Sequence, residues 1–216
     1  NQVFTVAGNA ELLLDKLAPP EPHEQEEMLR DILRSAQKMS QVIQELLLLA
    51  QVRRADVVVT EIDMPVVLAE AQARIWSLLD ETGGELIIGD AEHWPPACGY
   101  APWVEEIWYN YICNALKYGG QPPLVELGAE RADAERICFW VRDNGPGLTP
   151  DQIERLFIEF TRVGDASQFH GHGLGLSIVK RIVDKLGGEV DVQSQPGVGS
   201  VFRFFLPAAP CSKNES

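Results

Sequence analysis

Apolar residues in the first quarter of the chain recur at alternating steps of four and three: Val3, Ala7, Ala10, Leu14 and Leu17, then Met28, Ile32, Met39, Val42, Leu46 and Leu49, with Ser35 in the same register. At 3.6 residues per turn such spacing lines up one helical face. Both stretches therefore read as amphipathic helices, the second with a sustained heptad seam flanked by Leu29, Ala36, Ile43 and Leu47. Ala18-Pro19-Pro20-Glu21-Pro22 lies between them and must interrupt the helix, because proline removes a donor and clashes with the preceding turn. Two helices joined by a short turn form an antiparallel hairpin, which by itself cannot enclose stripes this wide. A second copy would enclose them in a four-helix bundle; packing on the rest of the same chain is the alternative.

From about residue 57 the period changes. Val57-Val58-Val59-Thr60-Glu61-Ile62 predicts a strand, Pro65 to Leu79 a helix opened by its proline, and Glu85-Leu86-Ile87-Ile88 another strand after Gly83-Gly84. Pro102 through Tyr118 is helical, with Val104, Ile107, Tyr111 and Leu116 among its apolar positions. Ile137, Phe139 and Val141 alternate with Cys138, Trp140 and Arg142, a strand running into Asp143. Leu174, Ile178, Ile182 and Leu186 form one face of a last helix, ended by Gly187-Gly188. Val190 and Val192, then Phe202, Phe204 and Leu206, make a closing pair of strands around Pro196-Gly197-Val198-Gly199. The predicted whole is α+β: a helical hairpin, then a mostly antiparallel sheet with helices on one face.

Composition narrows the function. The 216 residues are 45% apolar, enough for real cores, and 32 acidic against 18 basic residues give a net charge of −14. Such a surface repels nucleic acid and anionic membranes, although a local phosphate pocket can exist within it. Cys98, Cys113, Cys138 and Cys211 show no CxxC pair and no ligand-like spacing with histidine, so they read as reduced thiols and not as a metal site. No signal peptide and no bilayer-length apolar run is present, Leu46 to Ala50 being only about a turn. The expectation is a soluble, cytoplasmic chain, with any membrane anchor of a parent protein in a region outside this sequence.

Three segments carry candidate chemistry. Asp143-Asn144-Gly145-Pro146-Gly147 ends a strand; a carboxylate there can accept from an exocyclic amine, while Gly145 and Gly147 let a flat base approach. An acidic structural turn gives the same pattern. Gly171-His172-Gly173-Leu174-Gly175-Leu176 precedes an amphipathic helix, where exposed amides and the helix dipole suit phosphate. Its GxGxG spacing fits neither a P-loop nor a dinucleotide fingerprint, and a hinge is the alternative. Asn110, Asn114 and Lys117, four and three residues apart, share a helical face; Asn114 can offer a neutral oxygen to Mg²⁺ and Lys117 can meet a phosphate.

Together these pieces resemble the ATP-binding domain of sensor histidine kinases, within the superfamily that includes gyrase, MutL and a heat-shock chaperone. The order is an N-box at 110–118, a DxGxG box at 143–147, an F-box-like stretch at 156–162, the glycines of 171–175, and Gly197-Val198-Gly199-Ser200 before Phe202 and Phe204. The hairpin resembles the dimerisation and phosphotransfer module of that family. The resemblance implies a hairpin at 1–55, truncated at its N-terminus, a two-layer α/β sandwich of the kinase, gyrase and chaperone type at 56–209, and a tail at 210–216. It also implies that Asp143 recognises adenine, Asn114 holds Mg²⁺ beside Asn110, Lys117 contacts phosphate and Tyr118 lines the base pocket. Gly171, Gly173 and Gly175, with His172, Leu174 and Leu176, would surround the phosphates of ATP, Arg162 would belong to the site, and 148–170 would be a mobile lid. ATP-hydrolysing relatives carry a glutamate base where this chain has Asn110, which favours transfer over hydrolysis.

A histidine kinase also needs an acceptor histidine. Aligning the first helix with the family segment places it four residues before Asn1, with Gln2 at the position of the usual proline. His23 falls in the turn, His93 in a loop beside Trp94-Pro95-Pro96, and His170 and His172 at the end of the lid. The implied protein is a homodimeric kinase that passes phosphate from its histidine to the receiver domain of a response regulator. A non-catalytic dimeric scaffold is the alternative, and an ATPase clamp is disfavoured by Asn110.

Overall fold

A computed structural model describes residues 2–14, 21–158 and 174–210, divided into two units, Asn1–Gln51 and Val52–Ser216. The first unit contains α1 (Gln2–Leu14) and nearly all of α2 (Pro22–Arg54). Proline tolerates the first helical position because no amide donor is needed there, and Glu24 Oε2 accepts from the Glu21 amide at 2.9 Å. Arg53 and Arg54 end the helix where its dipole favours cations. Along the seam Ser35 and Leu49 are buried and Met28, Ile32, Met39 and Val42 half-buried, whereas Leu29, Leu33, Ile43 and Leu47 are more than half exposed.

The second unit is built on a sheet of order β2-β4-β5-β7-β6, formed by β2 (Glu85–Ile88), β4 (Leu124–Arg131), β5 (Arg136–Asp143), β6 (Glu189–Gln195) and β7 (Gly199–Pro207). Only β2 and β4 run parallel. A smaller antiparallel pair joins β1 (Thr60–Glu61) to β3 (Cys98–Gly99). The helices are α3 (Met64–Thr82), α4 (Ala101–Tyr118), the short α5 (Pro150–Glu154) and α6 (Gly175–Lys185).

Strand alternation sends Val125, Leu127, Ile137, Phe139, Val141, Phe202, Phe204 and Leu206 inward, where they are buried against α4 and α6. Phe139 stacks on Phe204 at 5.1 Å, and Trp108 of α4 meets Phe204 edge-on at the same distance. The other face mixes Cys138, Trp140 and Phe205 with ion pairs: Arg142 pairs with Glu126 at 3.1 Å, and Arg203 pairs with Asp191. On that face Trp140 lies across Gly128, where a Cβ would come within 2.1 Å of the indole.

The predicted strand over 57–62 contracts to Thr60–Glu61. Val58 is 78% exposed and faces no sheet, so β-branched propensity there has no partner strand to act on. The strands β3 and β4 go beyond the sequence reading, although Val125, Leu127 and Ala129 do alternate with Glu126, Gly128 and Glu130. The cysteine reading holds for Cys113 and Cys138, which are free and buried; burial pushes the Cys138 thiol up to about 11. Cys98 departs from it, being disulfide-bonded. Among the described residues no helix is long and apolar enough to cross a membrane.

Candidate functional site

The site is assembled where α4, the end of β5 and the start of α6 converge. Helix α4 is fixed by an apolar stripe in which Val104, Ile107, Trp108, Tyr111 and Ile112 are essentially fully buried. That stripe leaves Asn110, Asn114 and Lys117 half-buried at its margin and Tyr118 44% exposed at the last turn. Asn110 Nδ2 donates to the Glu106 carbonyl at 2.8 Å and to Glu106 Oε1 at 3.0 Å. Its Oδ1 lies against α6: a Cβ at Gly175 would sit 2.4 Å from it. Glycine at 175 is what allows the helix start to approach the carboxamide.

Asp143 closes β5 and is 9% exposed. Both of its hydrogen bonds among the described residues fall on Oδ1, from the amides of Gly145 at 2.8 Å and Ser200 at 3.2 Å. Oδ2 takes part in neither of them. Burial raises the Asp143 pKa above the ordinary aspartate value, and the two amides oppose that rise. A side chain at Gly145 would meet Tyr118 O at 2.5 Å and Asp143 Oδ1 at 2.8 Å, obstructing both. Gly147 has φ +70° and packs on the β6–β7 turn, where a Cβ would lie 2.0 Å from Gln195 O.

Asn144 was not singled out in the sequence, yet it ties the site together. Its Oδ1 accepts from Gly120 N at 2.9 Å and Leu124 N at 2.8 Å, and its Nδ2 donates to Pro122 O at 3.1 Å. The loop after α4 is thus pinned to the DxGxG turn. Glu106 is a second addition to the sequence reading: it stands one helical turn before Asn110, and only its tie to Arg74 depends on tertiary placement.

Helix α6 is held by buried Ile178, Val179, Ile182 and Val183; Leu174 before it is buried, and Gly175 and Leu176 are half-buried at its start. Thr149 caps α5 in a capping box with Gln152. The predicted lid beyond Ile158, and with it Arg162, Gly171, His172 and Gly173, lies outside the described residues.

The donor set suits a magnesium–nucleotide complex. Asn110 and Asn114 offer neutral oxygens, Lys117 a cation and Asp143 a buried acceptor. Among the described residues no three His, Cys, Asp or Glu side chains converge as a protein-only metal cage.

Comparison with known proteins bears on the fold and the family. A sequence model of the His Kinase A phospho-acceptor domain matches residues 4–55, and that of the histidine kinase-, DNA gyrase B-, and HSP90-like ATPases matches residues 99–210. The phytochrome-like protein Cph1 of Synechocystis is 29% identical over 170 residues, which cover 78% of this chain and 22% of that protein. The chain thus spans less than a quarter of that relative. Among solved structures, the Acinetobacter baumannii histidine kinase AdeS superposes with a TM-score of 0.73 at 19% identity, covering 97% of this chain and 96% of that one. The histidine kinase ThkA, solved in complex with the response regulator TrrA, gives 0.75 at 17% identity, covering 97% of this chain and 58% of that one. The chain therefore belongs to the sensor histidine kinases, as a phospho-acceptor-type helical hairpin followed by an ATPase domain of the histidine kinase, gyrase B and HSP90 type.

Proposed function

We propose that this chain is the catalytic core of a sensor histidine kinase that binds Mg-ATP and transfers the γ-phosphate to a histidine just upstream of residue 1, for relay to an aspartate of a response regulator. The observation that carries the reading is Asp143: a buried carboxylate, tied on one oxygen and open on the other, within the same site as the α4 carboxamides. Oδ2 accepts the adenine amine, the bare Gly145 admits the ring, and Tyr118 borders it. Asn110 and Asn114 present oxygens toward the metal, and Lys117 reaches a phosphate. The amides at the start of α6, from Gly175 and Leu176, meet the phosphate chain, joined by Gly171, His172, Gly173, Leu174 and Arg162. Bound Mg²⁺ supplies charge neutralisation of the phosphate oxygens. Asn110 cannot take a proton from water, which favours transfer over hydrolysis.

His23 is exposed in the first turn of α2, off the heptad seam, and His93 is engaged with Asp90 at 2.7 Å. Neither lies on the heptad seam, and the alignment of the first helix with the family segment is what puts the acceptor upstream. The exposed flank of Leu29, Leu33, Ile43 and Leu47 supports a homodimer through the hairpin. The fold shared with ThkA, which was solved with a response regulator, supports a receiver domain as partner. We assign the hairpin to 1–55, the catalytic domain to 56–209 and the tail to 210–216, in a cytoplasmic setting where ATP is available.

Calorimetric titration with ATP and Mg²⁺ tests the nucleotide site. Binding that Asp143→Asn weakens at least about tenfold is expected from loss of a charge-assisted hydrogen bond. No binding, or binding indifferent to that change, would favour a non-catalytic scaffold.

A further inference from the structure

Asn110 can serve a metal only through its carboxamide oxygen, and an amide can sit either way round. Here the direction is set by chemistry. Both partners of Nδ2, the Glu106 carbonyl at 2.8 Å and Glu106 Oε1 at 3.0 Å, are acceptors and would reject the flipped group. Oδ1 is therefore turned to the opposite side, against Gly175. Glu106 is in turn held from α3. Arg74 Nη1 donates to Glu106 Oε2 at 3.0 Å and to Glu105 Oε1 at 2.9 Å, and its guanidinium lies 3.8 Å from the centre of the Tyr109 ring. The Glu105 and Glu106 side chains are 18% and 19% exposed, so this is a part-buried arrangement and not a freely solvated surface pair. Stacking and two carboxylates together fix the guanidinium in one place.

We propose that Glu106, clamped by Arg74, is a positioning residue that locks the Asn110 carboxamide with its oxygen toward the magnesium–nucleotide complex. The inference rests on the Mg-ATP reading above. Its logic is one of division: Asn110 delivers a neutral oxygen, while the negative charge that directs it stays one helical turn away and is shared with Arg74. A tie that merely joined α3 to α4 would have no need to discriminate the two ends of the Asn110 amide.

The test is calorimetric titration of the full chain with the non-hydrolysable analogue adenylyl imidodiphosphate, once with Mg²⁺ and once with EDTA. The ratio of the two dissociation constants is the gain due to the metal. Glu106→Gln keeps size and packing, but its Oε1 can stay with Arg74 while its Nε2 faces Asn110, so the directing acceptor is lost. The expected result is a metal gain about tenfold smaller than that of the unaltered chain, with the EDTA constant unchanged within about twofold, as for second-layer partners of metal ligands. Arg74→Met, which leaves α4 intact, should shift the gain in the same direction but by less than about tenfold, because Arg74 acts only through Glu106. An unchanged gain in Glu106→Gln, or equal weakening with and without metal, overturns the proposal while the nucleotide reading stands. No binding by the unaltered chain, or binding that Asp143→Asn leaves intact, overturns the nucleotide reading and this inference with it.

Discussion

Asp143 is a carboxylate in a place that disfavours its charge. Burial is the larger influence on it and raises its pKa, while the amides of Gly145 and Ser200 partly compensate. Between the ordinary aspartate value and this raised one, the folded chain holds the extra proton, so stability falls as pH rises through that window. The penalty then persists at neutral pH. Asp143→Asn should therefore raise the denaturant midpoint of the nucleotide-free chain at neutral pH, even as it abolishes tight ATP binding; chemical denaturation checks the first and calorimetry the second. ATP affinity should also weaken on acidification from above the usual aspartate range, as the acceptor becomes protonated, and titrations at stepped pH will show whether it does. Gly147→Ala tests the turn instead of the ligand. A Cβ 2.0 Å from Gln195 O, on a residue with φ +70°, should cost about 2 kcal/mol or more in a denaturant titration. At this scale Asp143 and the glycines are legible in sequence because they stand in a fixed motif. Asn144 is not, because a side-chain hydrogen bond to a residue such as Leu124 has no trace in spacing, and for Glu106, one helical turn before Asn110, it is the partner Arg74 that spacing hides.

Elements with a one-sided apolar pattern are the ones that the sequence discloses. Helix α6 is read from Leu174, Ile178, Ile182 and Leu186, all buried, and β7 from Phe202, Phe204 and Leu206. The run Val57-Val58-Val59 misleads because propensity without a neighbouring strand does not make a ladder, and only Thr60 and Glu61 find one, at Gly99 and Cys98. Strand β4 depends on both neighbours: it pairs parallel with β2 and antiparallel with β5. The link between α4 and β4 is the Asn144 latch. Asn144→Ala removes hydrogen bonds to Gly120, Pro122 and Leu124 and should cost about 2 kcal/mol of stability, measured by denaturant titration. Because that loop follows Tyr118 directly, ATP affinity should fall as well, and a loss of stability with unchanged affinity would separate the latch from the site.

At the scale of the whole molecule, the helical unit and the ATPase unit answer different questions. The hairpin leaves Leu29, Leu33, Ile43 and Leu47 uncovered in a single chain, which is the pattern expected of a face that meets another copy. Ile43→Asp combined with Leu47→Asp should halve the mass found by light scattering while ATP affinity of the second unit is kept. The division of labour was visible in the change of hydrophobic period near residue 57. The acceptor was not, because no described histidine lies on the seam. The most direct measurement is phosphate transfer from γ-labelled ATP to a protein extended upstream of residue 1. The account predicts label that is lost in acid, retained in base, dependent on the upstream histidine and abolished by Asp143→Asn. Acid-stable label, or none with that histidine intact, would contradict it.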